Sequence, residues 1–557
     1  VQIVEGEVSE PGPGEREFLS AEELAAGYRL ACRAVPRADY KVRVPPESLS
    51  TPQRTQVEGE EVPVAPEPLV KTYSVSLTAP SLEDLRADVE RLLVGLEEQH
   101  GLGVTRLDPV VLRKLSSLLR AADWKIDVAV RDAEIVALFP PGTRPLGLAV
   151  DLGTTKIAVY LMDLASGETL ASAGAMNPQI AYGEDVIARI SYASESSEQA
   201  TRLQHLVTSR LNELAADLCQ EAGTDASHIV EMVVVGNTAM HHLFLGMDAE
   251  YLARAPYVAA VSSALDVKAR DLGLALAPGA IVHMLPNIAG YVGADHVAML
   301  LASGIAQAEG VVLALDIGTN TEVCLANHGR LTSLSCASGP AFEGAHIQHG
   351  MRAAVGAIEH VRVIDGKVEY QTIGDAPPVG LCGSGILDTL AQLYLSGAVD
   401  RRGRMQADHE RVRGEKRGRE FVLVTMNDAG ATPITFTQKD VRELQLAKGA
   451  MRCGVDVLLE ENGLTAADVD QVLIAGAFGT YIDVSSAMTI GMLPSMPLER
   501  VRQVGNAAGM GAKMALISRS KRAEAQELAG RIGYLELATI PDFAMAFALA
   551  TYLGESS

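Results

Sequence analysis

The sequence of 557 residues lacks long apolar segments. No run of about 18 residues is free of charged and turn-forming residues, and a membrane-spanning helix needs such a run. The first residues also lack the pattern of a signal peptide. We therefore expect no transmembrane helix and a cytoplasmic location.

Cysteine is scarce and scattered. The six cysteines lie far apart along the chain, at positions 32, 219, 324, 336, 382 and 453. This distribution excludes a disulfide framework and indicates a reducing compartment.

Basic residues are in the minority. Lysine and arginine number 47 against 70 aspartates and glutamates, which gives a formal net charge of −23. A field of one sign disfavours nucleic acid and anionic membrane surfaces as partners, and it favours basic patches on partner proteins or simple solubility. What is present is the composition of a soluble globular protein, with 48% apolar and 21% charged residues. The length predicts more than one domain.

One tight turn between two apolar strands stands out. The segment Leu146–Asp163 reads LGLAVDLGTTKIAVYLMD, in which Asp151 ends the first strand. Glycine lets the backbone turn sharply and approach a ligand, so the N–H groups of the turn can bind phosphate oxygens. The acid can hold Mg²⁺, usually through water. The candidate ligand-binding residues of this turn are Gly153, Thr154, Thr155 and Lys156.

The same pattern occurs a second time. The segment Val311–Leu325 reads VVLALDIGTNTEVCL, with Asp316 at the end of its first strand. The residues that follow Asp316 and correspond to the first turn are Gly318, Thr319 and Asn320. We do not attribute the occurrence of two such turns in the same strand pattern to chance.

Three further segments extend the pattern. A glycine-rich helix, Pro286–Gly304, precedes the second turn, and the segment Gly505–Leu516 reads as another. Between them an apolar strand runs into a turn formed by Gly476, Ala477, Phe478 and Gly479. In this order the five segments resemble the ATPase fold of acetate and sugar kinases, heat-shock chaperones and actin. The resemblance implies an α/β fold with a duplicated actin-like core and ATP in the cleft between its halves.

A narrower resemblance covers essentially the whole chain. The wording NPQIAYGEDVIARI, VVVGNTAMHHLFLG, SGPAFEGAHIQHGMRAAVGAIE, GLCGSGILD and DVRELQLAKGAMR is similar to the reductive activators of corrinoid proteins. This family resemblance implies ATP-dependent reduction of a corrinoid protein from Co(II) to Co(I) in support of methyl transfer. Its implied partner is the corrinoid protein of a methyltransferase system; the electron donor is not identified, and a homodimer is an option.

The resemblance assigns a role to each turn residue. The backbone of both turns would contact the β- and γ-phosphates, and Asp151 and Asp316 would hold Mg²⁺ and orient the attacking water. The residues from Gly476 to Gly479 would lie against adenosine. Two alternatives stay open: Lys156 as a solvated lysine on a strand face, and Phe478 as a core residue.

The resemblance also divides the chain. Residues 1–43 resemble the C-terminal part of a plant-type [2Fe–2S] ferredoxin, with Cys32 as a cluster ligand in the intact protein; the alternative is a buried thiol. Because the chain begins at Val1 without the other three cysteines, we interpret it as a piece of a longer protein and expect no cluster in it. Residues 44–70 are proline-rich, as in an extended linker. Residues 71–145 form a small α/β domain, and residues 146–557 form the ATPase core, with halves at about 146–305 and 306–557.

Two further segments carry expectations. In the glycine-rich stretch from residue 333 to 356, Ser335 and Ser338 are candidates to approach a partner's cobalt, whereas His346 and His349 lack a third ligand for a metal site. The stretch Arg401–Arg419 reads as a solvated insertion. In the small domain, we expect a helix that starts at Ser81.

Two other functions fit parts of the pattern. One is a small-molecule kinase of the sugar-kinase type, and the other is a scaffold controlled by nucleotide. The ferredoxin-like segment argues against both, and no catalytic base beside a polar substrate pocket is evident for a kinase.

Overall fold

A computed structural model describes residues 2–6, 8–12, 24–29, 34–35, 37, 41–43, 59–364, 366–415, 418–425 and 433–555. Cys32 and the first part of the predicted linker, residues 44–58, lie outside the described residues. Within the described part of the chain, no helix is both long and apolar enough to cross a membrane.

The small α/β unit is a four-stranded sheet covered by two helices. Its strand order is β3-β5-β6-β4, and β5 and β6 pair as the hairpin that the sequence indicates. Apolar side chains of both helices, such as Leu96 and Leu115, pack with Trp124 against the sheet. The elements up to this point are β1 (Gln2–Glu5), β2 (Lys41–Arg43), β3 (Val70–Ser76), α1 (Asp88–His100), β4 (Arg106–Leu107), α2 (Pro109–Ala121), β5 (Lys125–Arg131) and β6 (Glu134–Phe139).

The expected helix start at Ser81 is wrong, because α1 begins seven residues later at Asp88. Ser81 lies in a turn whose backbone bonds to Asp84. The Asp84 carboxylate in turn accepts hydrogen bonds from Arg86 and from Arg91. These side-chain bonds hold residues 81–87 in a turn in place of a first helical turn.

A six-stranded sheet forms the first lobe of the core. Its order is β11-β12-β10-β7-β8-β9; β7, β8 and β9 form an antiparallel meander, and β10 and β12 run parallel to β7. The elements are β7 (Leu146–Leu152), β8 (Lys156–Asp163), β9 (Thr169–Met176), α3 (Val186–Glu195), α4 (Ser197–Glu221), β10 (Ile229–Val235), α5 (Thr238–Leu245), β11 (Leu265–Lys268), β12 (Ile281–Met284) and α6 (Ala294–Ser303).

The second lobe repeats this topology. Its main sheet has the order β23-β22-β13-β14-β15-β24, again an antiparallel meander followed by two parallel strands, with β24 added at the far edge. The repeat confirms the duplicated actin-like core. Two small sheets, β17-β16-β18 and β19-β20-β21, are inserted. The strands are β13 (Val311–Ile317), β14 (Thr321–Asn327), β15 (Arg330–Cys336), β16 (Ala357–Ile364), β17 (Lys367–Thr372), β18 (Gly380–Leu381), β19 (Val412–Arg413), β20 (Glu420–Val424), β21 (Ile434–Thr437), β22 (Gln471–Ala475), β23 (Val501–Gly505) and β24 (Gly533–Tyr534).

Helices cover both faces of the second sheet and join the lobes. They are α7 (Gly383–Leu395), α8 (Gln438–Glu461), α9 (Gly476–Gly479), α10 (Val484–Thr489), α11 (Ala507–Ile517), α12 (Arg519–Arg531) and α13 (Phe543–Ala550). The central pair is α6 and α11, which correspond to the two glycine-rich helical segments of the sequence. They pack so closely that a Cβ on Gly511 would lie 2.0 Å from the carbonyl oxygen of Ala298.

Most described residues of the Arg401–Arg419 stretch are exposed, as its composition indicates, but the stretch is also anchored to the core. Met405 is fully buried in the second-lobe core. Arg411 donates to the carbonyl of Gly366, and Arg419 donates to the carbonyl of Met405. The arginines here satisfy backbone carbonyls, a use that composition alone does not reveal.

The described end of the predicted linker lies on the core. Residues 59–67, here called the strap, follow α11 from one end to the other. The N–H of Glu60 donates to Val504 O in β23, three residues before α11, and the N–H of Glu67 donates to Ile517 O at the end of α11. Val62 and Val64 of the strap pack against the first-lobe core. This part of the linker is therefore docked in the structure.

Candidate nucleotide-binding cleft

The first turn connects β7 to β8 and is held by two asparagines. Asn177 donates from Nδ2 to the Gly153 carbonyl at 2.9 Å, and Asn237 donates from Nδ2 to Thr154 Oγ1 at 2.9 Å. A Cβ at position 153 would lie 2.7 Å from the carbonyl oxygen of Lys156, so only glycine fits this turn without movement. The sequence interpretation of Gly153 as a turn glycine agrees with this geometry.

The second turn connects β13 to β14 and is held by hydroxyl groups. The N–H of Gly318 donates to the carbonyl of Asn320 at 3.1 Å. Thr319 donates from Oγ1 to Glu343 Oε1 at 2.8 Å, and Thr321 and Ser338 share a hydroxyl hydrogen bond of 2.9 Å. These contacts fix the turn from the second-lobe side.

The two turns meet at one cavity. Thr155 Oγ1 and Thr319 Oγ1 are 3.1 Å apart, so the tips of the turns touch across the lobes. The cavity behind them has a volume of about 240 Å³ and is lined by residues of both turns and by Gly476 and Phe478. The structure thus brings together the residues that the sequence places in three separate segments.

Burial raises the pKa of four of the carboxyl groups that line this cavity. Burial raises the pKa of Asp151 to about 6, against a hydrogen bond from Asn506 that lowers it. Burial and the charge of Asp151 raise the pKa of Asp295 to about 7. Burial and the charges of Asp295 and Asp151 raise the pKa of Asp316 to about 8, and the pKa of Glu322 is also raised. The cavity therefore holds a cluster of acid groups whose charged forms burial disfavours, a setting suited to a cation.

Sequence reasoning missed Asp295, Glu322 and Asn506. Asp295 lies in the first turn of α6, and Glu322 lies on β14 two residues beyond Asn320. The sequence contains an indirect signal for Asp295, which is the glycine two residues before it. A Cβ on Gly293 would lie 2.4 Å from the Cα of Asn237, so the start of α6 packs too closely for a side chain at this position. Among the described residues, no group of three or more His, Cys, Asp or Glu side chains is arranged to coordinate a metal directly.

The predicted adenosine segment follows β22 as the short helix α9. Gly476 has a positive φ of 90°, and a Cβ there would lie 2.6 Å from Asp316 Oδ1. Phe478 stacks on Phe342 with ring centroids 4.9 Å apart, and it also lines the cavity. Phe478 therefore packs against the second-lobe core and also lines the cavity; its contact with adenosine stays a prediction.

Two cationic residues line the same cavity, Lys156 and Arg352. Burial lowers the pKa of Lys156, while the nearby Glu343 raises it. Lys156 is therefore a partly buried residue of the cavity lining.

The remaining predicted residues lie behind the second turn. Ser335 donates to Glu322 Oε1 at 3.0 Å, and Ser338 is buried against Thr321. The structure therefore places neither hydroxyl at an exposed partner surface. His346 contacts Glu184 of the first lobe at 3.2 Å.

Comparison with known proteins identifies the chain. It is 35% identical over 507 residues to the corrinoid activation enzyme RamQ of Eubacterium limosum, covering 88% of this chain and 84% of RamQ. The chain belongs to the RACo family. Residues 59–145, 146–308 and 310–557 match the RACo linker region, the RACo middle region and the C-terminal domain of RACo, the ASKHA domain.

Other RACo-family comparisons agree. A solved structure of a reductive activator for corrinoid, iron-sulfur protein has a TM-score of 0.78 and 37% identity, and the match covers 99% of this chain and 91% of that one. The [Co(II) methylated amine-specific corrinoid protein] reductase of Methanosarcina barkeri is 26% identical over 430 residues, covering 71% of this chain and 75% of that protein. Membership in this family sets aside the sugar-kinase and scaffold alternatives.

Proposed function

We propose that this protein binds ATP in the cleft and couples its hydrolysis to the reduction of a corrinoid protein. One electron converts the partner's Co(II) to Co(I), the form that accepts a methyl group. The observation that carries this proposal is the meeting of the two turns and four acids at one cavity. The RACo family, with its corrinoid activation enzymes, supports the choice of partner.

The residues of the cavity fit a magnesium nucleotide. Asp151 and Asp316 would hold Mg²⁺ through water, because a bound cation would favour the carboxylate forms that burial disfavours. Mg²⁺ would supply charge neutralisation at the phosphates. Lys156 and Arg352 would add positive charge to the phosphate side of the site.

The chain's own groups would position the reaction. The backbone N–H groups of residues 153–155 and 318–320 would bind phosphate oxygens from opposite sides. Asn177 and Asn237 fix the first turn, and Glu343 fixes the second through Thr319. Such prior positioning is the main protein contribution to phosphoryl transfer, because no groups reorganise during the reaction.

The domain division of the sequence analysis is part of the proposal. Residues 1–43 would belong to the electron-carrying part, and Cys32 would be one ligand of a [2Fe–2S] cluster there, although it lies outside the described residues. Residues 71–145 would be a packing or dimerisation domain, with 146–557 as the ATPase core. Ser335 and Ser338 would reach cobalt only if the second-turn region opens, because both are bonded inside the lobe.

A reduction assay tests the function. The full-length protein is mixed anaerobically with a Co(II) corrinoid protein and a low-potential reductant, and the Co(I) absorption is recorded. We expect Co(I) to accumulate with ATP and Mg²⁺ and to fall to the background level with a non-hydrolysable ATP analogue. Equal rate and extent of reduction without nucleotide would overturn the coupling to hydrolysis.

A further inference from the structure

The strap contacts the element that carries one side of the cleft. Asn506 and Ala508, at the start of α11, line the cavity. On the opposite side of the same backbone lies Gly59 of the strap, where a Cβ would come within 3.0 Å of the Asn506 carbonyl oxygen. The strap and the cavity are therefore both in contact with the start of α11.

A chain of side chains connects the same two places. Asn506 bonds to Asp151 in the cavity, and its Nδ2 donates to the Tyr160 hydroxyl at 3.3 Å. The Lys513 ammonium lies 5.5 Å from the centroid of the Tyr160 ring and donates to Glu61 Oε1 of the strap at 2.5 Å. The connection therefore runs from Asp151 to the strap through Asn506, Tyr160 and Lys513.

The placement of Lys513 is unusual for a lysine. Its side chain is only 5% exposed, whereas that of Glu61 is 74% exposed. Buried lysines are rare unless they are paired, so the strap supplies the carboxylate partner of this ammonium group. The core is incomplete at this position without the strap.

We propose that the strap responds to the nucleotide, with Asn506 and Lys513 as the positioning residues that connect the cleft to Glu61. The inference rests on the proposed function, since it takes the cavity as the ATP site. A nucleotide that contacts the first turn of α11 holds this turn in place, and the strap gains a fixed docking surface. ATP thereby restricts the segment that leads to residues 1–43, the proposed electron-carrying part.

Hydrogen exchange tests the connection directly. The full-length protein is compared with and without ATP and Mg²⁺, while nucleotide binding is measured separately by calorimetry. We expect the strap amides of Glu60 and Glu67, which donate to Val504 and Ile517, to exchange about threefold or more slowly with nucleotide. Unchanged strap exchange under saturating nucleotide would overturn the inference and leave the proposed function intact. Failure of nucleotide to bind would overturn both.

Variants of two neighbouring glutamates distinguish the connection through Tyr160 from docking of the strap alone. Glu61→Gln weakens the contact to Lys513 at an exposed position, so folding is preserved. We expect nucleotide to lose its effect on strap exchange in this variant. Because coupling between two sites is reciprocal, the affinity for nucleotide should fall by the factor by which nucleotide slows strap exchange in the natural protein. Glu60→Gln is the matched control: its partner Arg502 is half-exposed, and their pair lies outside the Tyr160 connection.

Lys513→Met provides the third comparison. Methionine keeps most of the side-chain length and removes the charge, and the released Glu61 is solvated. We expect the same loss of nucleotide dependence as in Glu61→Gln. A nucleotide effect as large as in the natural protein, in both Glu61→Gln and Lys513→Met, would overturn the assignment of these residues.

Discussion

Asp316 lies where the second turn, the adenosine segment and the acid cluster meet. It ends β13, its Oδ1 is the atom that a side chain at Gly476 would strike, and it has the highest pKa of the three aspartates, about 8. Its environment therefore disfavours the charged form unless a cation is present. This conflict between burial and charge is typical of functional groups, since a purely structural position would tolerate a neutral side chain.

Replacement of Asp316 by asparagine tests this role. We expect Asp316→Asn to lower ATP hydrolysis by about 10²-fold or more, because a positioned charge near the phosphates is lost. The amide has the same shape and carries no charge, so the melting temperature should stay the same or rise. Phosphate release and thermal unfolding are the measurements, and Glu369→Gln on the exposed strand β17 is the control. Full activity with unchanged stability would remove Asp316 from the mechanism.

The acid cluster also predicts how stability depends on pH. The pKa values of Asp151, Asp295 and Asp316, about 6, 7 and 8, lie above the value of about 3.9 for an unfolded aspartate. As pH rises from about 4 to about 8, the unfolded chain loses these protons first, so the free energy of unfolding decreases. Buried His241 and His296, whose pKa values burial lowers to about 3, change stability in the opposite direction over this range. We therefore expect the natural protein to lose stability relative to Asp316→Asn between pH 5.5 and pH 8 in urea unfolding without divalent cations.

Two controls accompany the pH measurement. ATP with Mg²⁺ should raise stability more at pH 8 than at pH 5.5, because the bound cation favours the ionised carboxylates. In Asp316→Asn the contribution of this carboxyl group to the pH dependence is absent. A difference in unfolding free energy between the natural protein and Asp316→Asn that is the same at pH 5.5 and pH 8 would contradict the raised pKa of Asp316.

The residues that sequence reasoning found differ from those it missed in how local their signal is. Gly153 and Gly318 belong to short turns with an acid two residues before, a pattern readable in a few letters. Asp295 and Glu322 become cavity residues only when the two lobes come together around the cleft. Their neighbours in space are distant in sequence, so a single sequence contains no pattern that pairs them.

At the scale of elements, interpretations failed for the same reason: contacts between segments distant in sequence leave no local pattern. The two lobes were predictable because each repeats strand, turn and strand. The strap is predicted as part of an extended linker, since its prolines and charged residues are the same whether it is free or docked. The arginines of residues 401–419 are predicted as solvated, although Arg411 and Arg419 donate to backbone carbonyls. Composition describes the side chains of a segment and leaves their partners undetermined.

The contact between α6 and α11 allows a direct test of how closely two helices must pack. A methyl group on Gly511 would lie 2.0 Å from the Ala298 carbonyl oxygen, which is backbone and cannot rotate away. We expect Gly511→Ala to push the helices apart and to lower the free energy of unfolding by about 1–3 kcal/mol. Urea unfolding at constant pH is the measurement.

Gly530 is the matched control for this helix contact. It lies in α12, and a Cβ at this position would meet no atom within 4 Å. Gly530→Ala should leave stability unchanged or raise it by about 0.5–1 kcal/mol through helix propensity. Equal effects of the two variants would show that the α6–α11 contact adapts without cost.

At the scale of the whole molecule, the cleft has to act on a partner. A one-electron step that is unfavourable by 100 mV needs about 2.3 kcal/mol. Coupling between two binding sites typically supplies 1–3 kcal/mol, so binding alone covers a small gap and a larger gap needs hydrolysis. The second-turn region is suited to transmit the effect, because Thr319 bonds to Glu343 within the glycine-rich stretch of residues 333–356.

The partner should be distinguished by its oxidation state. Tighter binding of the Co(II) form would let the protein select the partner that needs reduction and release it afterwards. By itself such a preference stabilises Co(II), since differential affinity shifts populations toward the form that is bound, so ATP has to offset it. We therefore expect the full-length protein to bind the Co(II) corrinoid protein more tightly than the Co(I) or methylated form, with ATP weakening the complex. Calorimetry with each cobalt state, with and without nucleotide, measures this, and Asp316→Asn tests whether the nucleotide effect arises in the cleft. Affinities equal within about threefold in all states would amount to less than about 0.7 kcal/mol of discrimination, too little for the coupling proposed.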